Sequence, residues 1–148
     1  MPSHLDPLLS AQEFDLRIHE IRQQLDRIPR EQEAAHNRLE ALAAKMAASK
    51  TALQENEVAI KNVELDIGTR RETISRLKTQ QFETRKNEEY QTLGQEIVRY
   101  EGEVDSLETT ELELMEKADQ LKQALGEAEE AHASIKHGVD EEVATLTE

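Results

Sequence analysis

The chain has 148 residues, 34% of them charged, 36% hydrophobic and 3% aromatic, with a formal net charge of −14 and no cysteine. Leu, Ile, Val and Phe together number 33, too few for the thick apolar core of a compact domain of this length. The missing cysteines exclude a disulfide frame, a thiolate nucleophile and a cysteine-ligated metal within these residues, and the negative balance disfavours general binding to nucleic acid or to an anionic membrane.

Ala, Glu, Lys, Leu and Arg supply 76 residues, the composition of a long helix or coiled coil when a heptad period accompanies it. Residues 1–10 contain Pro2 and Pro7 and are expected to be irregular, with Leu5, Leu8 and Leu9 available to pack at the open end. From Phe14 an apolar stripe steps by four and three through Ile18, Ile21, Leu25 and Ile28, and the same frame runs on to Leu77. Fifteen of its nineteen seam positions are apolar, the exceptions being Gln32, Ser49, Asn56 and Arg70. A stripe with a 3.5-residue period is narrow and must pack on another helix. Pro29 lies inside it without disturbing its phase, so a kink or short break is expected near Arg27–Arg30.

Residues 78–89 hold one apolar residue, Phe82. Asn87 suits a helix N-cap and is followed by Glu88 and Glu89, which suit the helix dipole. A second stripe begins at Tyr90 and continues through Leu93, Ile97, Tyr100, Val104 and Leu107 to Leu146, broken at Glu111, His132 and Glu142. Two stripes of similar length joined by a short polar turn predict an all-α fold, a long antiparallel helical hairpin of the coiled-coil type. The expected bounds are helix 1 over about 11–80, a turn over about 81–87 and helix 2 over about 88–147, the hairpin as a whole occupying 11–148. With Leu77 set opposite Tyr90, Asn56 falls opposite Glu111 and Ala35 opposite His132; the Asn56–Glu111 polar pair is then expected to set the register.

Charge is unevenly spread. Residues 90–148 carry sixteen acidic and four basic residues, whereas residues 70–87 carry Arg70, Arg71, Arg76, Lys78, Arg85 and Lys86 against Glu72 and Glu83. An acidic hairpin with a basic tip follows. Cations near a helix C-terminus are favoured by the dipole alone, and Arg70 in the seam is expected to snorkel or to pair with Glu96 or Glu101. The tip residues Phe82, Arg85, Lys86, Asn87 and Tyr90 are the candidate partner contacts, although Tyr90, as the first seam residue, is expected first of all to pack at the hinge. The five histidines, His4, His19, His36, His132 and His137, form no i, i+4 pair, and no third ligand converges on His36 and His132. Neither a metal site nor catalysis is expected, because carboxylates on exposed helices gain no perturbed pKa.

The stretch Thr84-Arg-Lys-Asn-Glu-Glu-Tyr-Gln-Thr-Leu-Gly-Gln-Glu-Ile97, with Leu107-Glu108 further on, resembles the turn and second helix of a bacterial family of coiled-coil hairpin proteins that end in a four-cysteine zinc ribbon. Asn87, Glu89, Tyr90, Leu93, Glu96 and Ile97 match the family pattern; Glu88 stands where a Lys is usual, Thr92 where an Ala is usual, and Thr109 ends what would be an acidic triplet. Leu25-Asp-Arg-Ile-Pro29 is similar to the family's first helix. The resemblance implies a cytoplasmic bacterial adaptor or chaperone, linked to the alternative sigma factor, to flagellar or type III export components and in some cases to messenger RNA. These residues hold no cysteine and hence no zinc ribbon, so zinc and the ribbon's contacts do not carry over to them, and zinc is expected only if a cysteine ribbon lies outside them.

The expected function is therefore a non-enzymatic protein-interaction module that presents its tip to a protein partner, without cofactor or membrane, as a monomeric hairpin or a homodimer of hairpins. Leftover apolar residues such as Leu16, Val58, Leu65, Leu112 and Met115 are available for such a dimer. The alternatives are weak, salt-dependent nucleic-acid binding by the basic tip, and a parallel coiled-coil dimer whose helix runs straight through residues 78–89. The lack of a membrane-length apolar run and of a signal-peptide pattern points to the cytoplasm.

Overall fold

A computed structural model describes residues 5–147, less the side chains at the two extremities. Two helices account for nearly all of it: α1, Leu5–Glu83, and α2, Asn87–Thr147, packed against each other as a helical hairpin. No strand occurs among the described residues. The chain reverses at Thr84-Arg85-Lys86, so the straight-through helix of the parallel-dimer reading is not found.

Residues 45–128 form one compact unit. Every seam position from Met46 to Leu77 and from Leu93 to Ala128 is buried or half-buried, as the heptad frame predicts. Ile67, Ile74 and Leu77 of α1 and Ile97 and Val104 of α2 make the buried core, with Val63, Leu93, Tyr100 and Leu107 packed on it. This cluster lies near the turn. Each such side chain contributes roughly 1.5–3 kcal/mol when fully buried. Because only two helices meet, most other seam residues stay half-exposed.

The register differs from the expected one by about one helical turn. Asn56, 6% exposed, donates from Nδ2 to the carbonyl oxygen of Leu114 at 2.7 Å, not to Glu111. At the turn it is Gln81, not Leu77, that reaches Tyr90. The cause is the connection. Helix α1 continues to Glu83, past its expected end near residue 80, and the link is three residues instead of about seven. Leu77 is thereby carried deeper, into the cluster with Ile97, and Tyr90 is left outside the core.

Residues 1–44 with 129–148 form the second unit. Here α1 is already helical at Leu5, so residues 5–10 are not irregular. Pro7 is accommodated because a first-turn residue has no intrahelical N–H bond to lose. Residues 1–4, with His4, and the side chains of Leu5 and Leu146 lie outside the described residues. No break occurs at Pro29, through which α1 runs continuously. The seam positions from Ile28 to Leu42 and from His132 to Val139 are half-buried, but Phe14, Ile18, Ile21 and Leu25 are exposed, and so is Glu142.

Candidate interaction site at the hairpin tip

The tip is built by the ends of both helices and held by their side chains. Helix α1 closes with a Thr84 N–H to Gln80 O bond of 3.0 Å, and α2 opens with a Tyr90 N–H to Lys86 O bond of 3.0 Å. The carbonyl that accepts the first bond belongs to the N-cap residue. Lys86 is therefore the N-cap, and Asn87, expected in that place, is the first residue of α2. Thr84 ties the link together. Its hydroxyl donates to Glu89 Oε2 at 2.9 Å and accepts from the Lys86 N–H at 3.5 Å. Gln81 Nε2 donates across the turn to Tyr90 O at 3.2 Å. A Cβ on Gly94 would stand 3.0 Å from that amide nitrogen, so the missing side chain gives Gln81 its place.

On this frame Phe82 is 90% exposed and Tyr90 51% exposed. Arg85, Lys86 and Asn87 are exposed as well. The five candidate contacts thus lie within nine residues around one three-residue link, and Tyr90 does not serve as a buried hinge residue. Thr84, Gln81 and Gly94 organise the tip and were not singled out from the sequence. A Thr five residues before a Glu matches no capping box, and the Gln81–Tyr90 contact depends on register.

The basic tip is less basic than its composition. Arg70 Nε pairs with Glu103 Oε2 at 2.9 Å, Arg71 Nη2 with Glu108 Oε1 at 2.6 Å and Lys78 Nζ with Glu101 Oε1 at 3.5 Å. Glu103, not Glu96 or Glu101, is the partner of Arg70, as the deeper register requires. Arg99 also pairs with Glu103, at 3.3 Å, and stacks on the Tyr100 ring, 4.5 Å from its centroid. Helix-end electrostatics do not account for Arg76 and Lys78, because α1 ends at Glu83 and its last turn contains no cation. Among the described residues Arg76, Arg85 and Lys86 form no ion pair, and Glu83, Glu88 and Glu89 stand close to the last two in sequence.

His36 Nε2 lies 3.2 Å from Glu40 and His137 Nε2 3.0 Å from Glu141, each on its own helix. Among the described residues no group of three or more His, Asp or Glu side chains is placed to hold a metal ion, and no helix is long and apolar enough to cross a membrane. The fold and tip define a helical hairpin with a compact, internally bonded turn. No protein-family model, curated protein or solved structure matches the chain.

Proposed function

We propose that this chain is a non-enzymatic, cytoplasmic protein-interaction module, adaptor- or chaperone-like, that offers the hairpin tip to a protein partner. The observation that carries the reading is Phe82, 90% exposed, beside the unpaired Arg85 and Lys86 on a link braced by Thr84 and Gln81. An exposed aromatic next to cations on a pre-ordered turn is the composition of an interface anchor, and little ordering entropy is lost when it binds. The sequence resemblance to the zinc-ribbon hairpin family supplies the partner class: the alternative sigma factor or a flagellar or type III export component. Nucleic-acid binding draws less support, because three of the six cations near the tip are engaged by Glu101, Glu103 and Glu108.

The test is titration of the chain with purified sigma factor and export components of the source organism, followed by circular dichroism of every variant. Arg85→Glu with Lys86→Glu, and separately Phe82→Ala, are expected to weaken binding at least tenfold with helix content unchanged. Undiminished binding moves the site to the acidic helix. Binding of single-stranded RNA instead, falling steeply with salt, replaces the reading with the nucleic-acid one.

A further inference from the structure

The two helices of the 45–128 unit leave a groove along one flank. Two adjoining hollows, of about 500 and 600 Å³, share Glu64 in it. Its floor is apolar, formed by Ile60 and Ile67 of α1 and Ala118 of α2. On the α2 side Leu112 and Met115 border it, 67% and 40% exposed. On the α1 side the wall is missing at Gly68, where a Cβ would meet nothing within 4 Å. No positive φ calls for glycine there, and a glycine inside a helix weakens it relative to alanine.

The mouth of the groove is charged, and its balance is negative. In the larger hollow Lys61 and Lys122 are matched in number by Glu57 and Asp119. In the smaller, Arg71 is engaged by Glu108 at 2.6 Å. Glu64 and Glu111 are left over, and neither forms a hydrogen bond or an ion pair among the described residues. Glu111 is half-buried at a seam position, where an unpaired carboxylate is costly. A cation on an aliphatic stem, entering beside Gly68, complements both the carboxylates and the floor. Two other modes of peptide recognition have no footing here. No strand among the described residues offers an edge for strand addition, and no aromatic side chain lines the groove for a proline-rich segment. A third helix, by contrast, packs between two antiparallel ones by the ordinary rules of helix packing.

We propose that this groove, separate from the tip, docks a basic amphipathic helix of a partner protein: aliphatic residues of that helix cover Leu112 and Met115, and a Lys or Arg of it pairs with Glu64 and Glu111.

The test is fluorescence anisotropy of a labelled synthetic helix of Leu and Lys, about 18 residues or five turns long, titrated with the whole chain at about 0.15 M salt. Saturable binding is expected. Leu112→Ala/Met115→Ala and, separately, Glu64→Gln/Glu111→Gln are expected to weaken it at least tenfold. Gly68→Leu is expected to weaken it as much while raising the thermal midpoint, since it fills the groove and improves helix propensity; loss of binding is thereby separated from loss of fold. Glu55→Gln/Glu113→Gln, which removes the same charge from the opposite flank, is expected to leave binding unchanged, and so is Phe82→Ala at the tip. Absence of saturation below about 0.1 mM overturns the proposal. Equal weakening by the two Glu→Gln pairs overturns it in favour of a diffuse attraction to the acidic chain. A Gly68→Leu chain that binds undiminished overturns the groove, and loss of binding in Phe82→Ala transfers the helix to the tip.

Discussion

A polar residue in an apolar seam lowers stability and narrows the set of alignments. Asn56 does this through the Leu114 carbonyl. A carbonyl oxygen has two lone pairs, so Leu114 accepts this bond without giving up its place in α2. Asn56→Leu is expected to raise the thermal midpoint, since an apolar side chain replaces a desolvated amide. In the same variant, cysteine pairs introduced one heptad out of register are expected to begin to crosslink. A variant that crosslinks only in the native register would show that the tip alone sets the alignment. Glu111, the other expected register residue, is half-buried and does not pair with Asn56.

At the scale of the element, α1 tolerates Pro29 at a cost. Proline lacks the N–H that would bond to the Leu25 carbonyl and crowds the preceding turn, an effect of about 3 kcal/mol in a helix interior. The helix persists because the seam continues in phase through Gln32 to the apolar Ala35 and Leu39, all half-buried. Pro29→Ala is expected to slow amide exchange over residues 25–33 and to stabilise this part of α1 by about 1–3 kcal/mol. Unchanged exchange would mean that the proline's cost is already relieved by a local adjustment of the helix. The α2 start shows a similar economy of parts: Glu88 and Glu89 suit the positive end of the helix dipole, and Glu89 at the same time fastens Thr84.

For the whole molecule, charge matters more than any single pair. The net charge is −14, and most of it comes from residues 90–148. The cross-helix pairs to Glu101, Glu103 and Glu108 involve side chains that are a third to two-thirds exposed; such pairs contribute about 0–1 kcal/mol each and are screened by salt. Repulsion among the many unpaired carboxylates is screened as well. The second effect has more members, so raising the salt concentration is expected to increase stability against urea by roughly 1 kcal/mol. A decrease would show that the cross-helix pairs dominate.

The all-α hairpin and its seams were legible in the sequence because a 3.5-residue apolar period is a local property: it states which face of a helix must be covered, wherever the partner lies. Hence the seam positions from Ile28 to Leu77 and from Leu93 to Val139 are buried or half-buried. The site was legible only as a neighbourhood, since a polar segment with one aromatic and several cations marks a turn without stating its shape. Register, the three-residue link, the exposure of Tyr90 and the partners of Arg70, Arg71 and Lys78 were decided by the tertiary structure. A heptad repeat has nearly equivalent alignments one turn or one heptad apart, and the choice among them rests on a few contacts between residues distant in sequence: Gln81 with Tyr90 and Asn56 with Leu114.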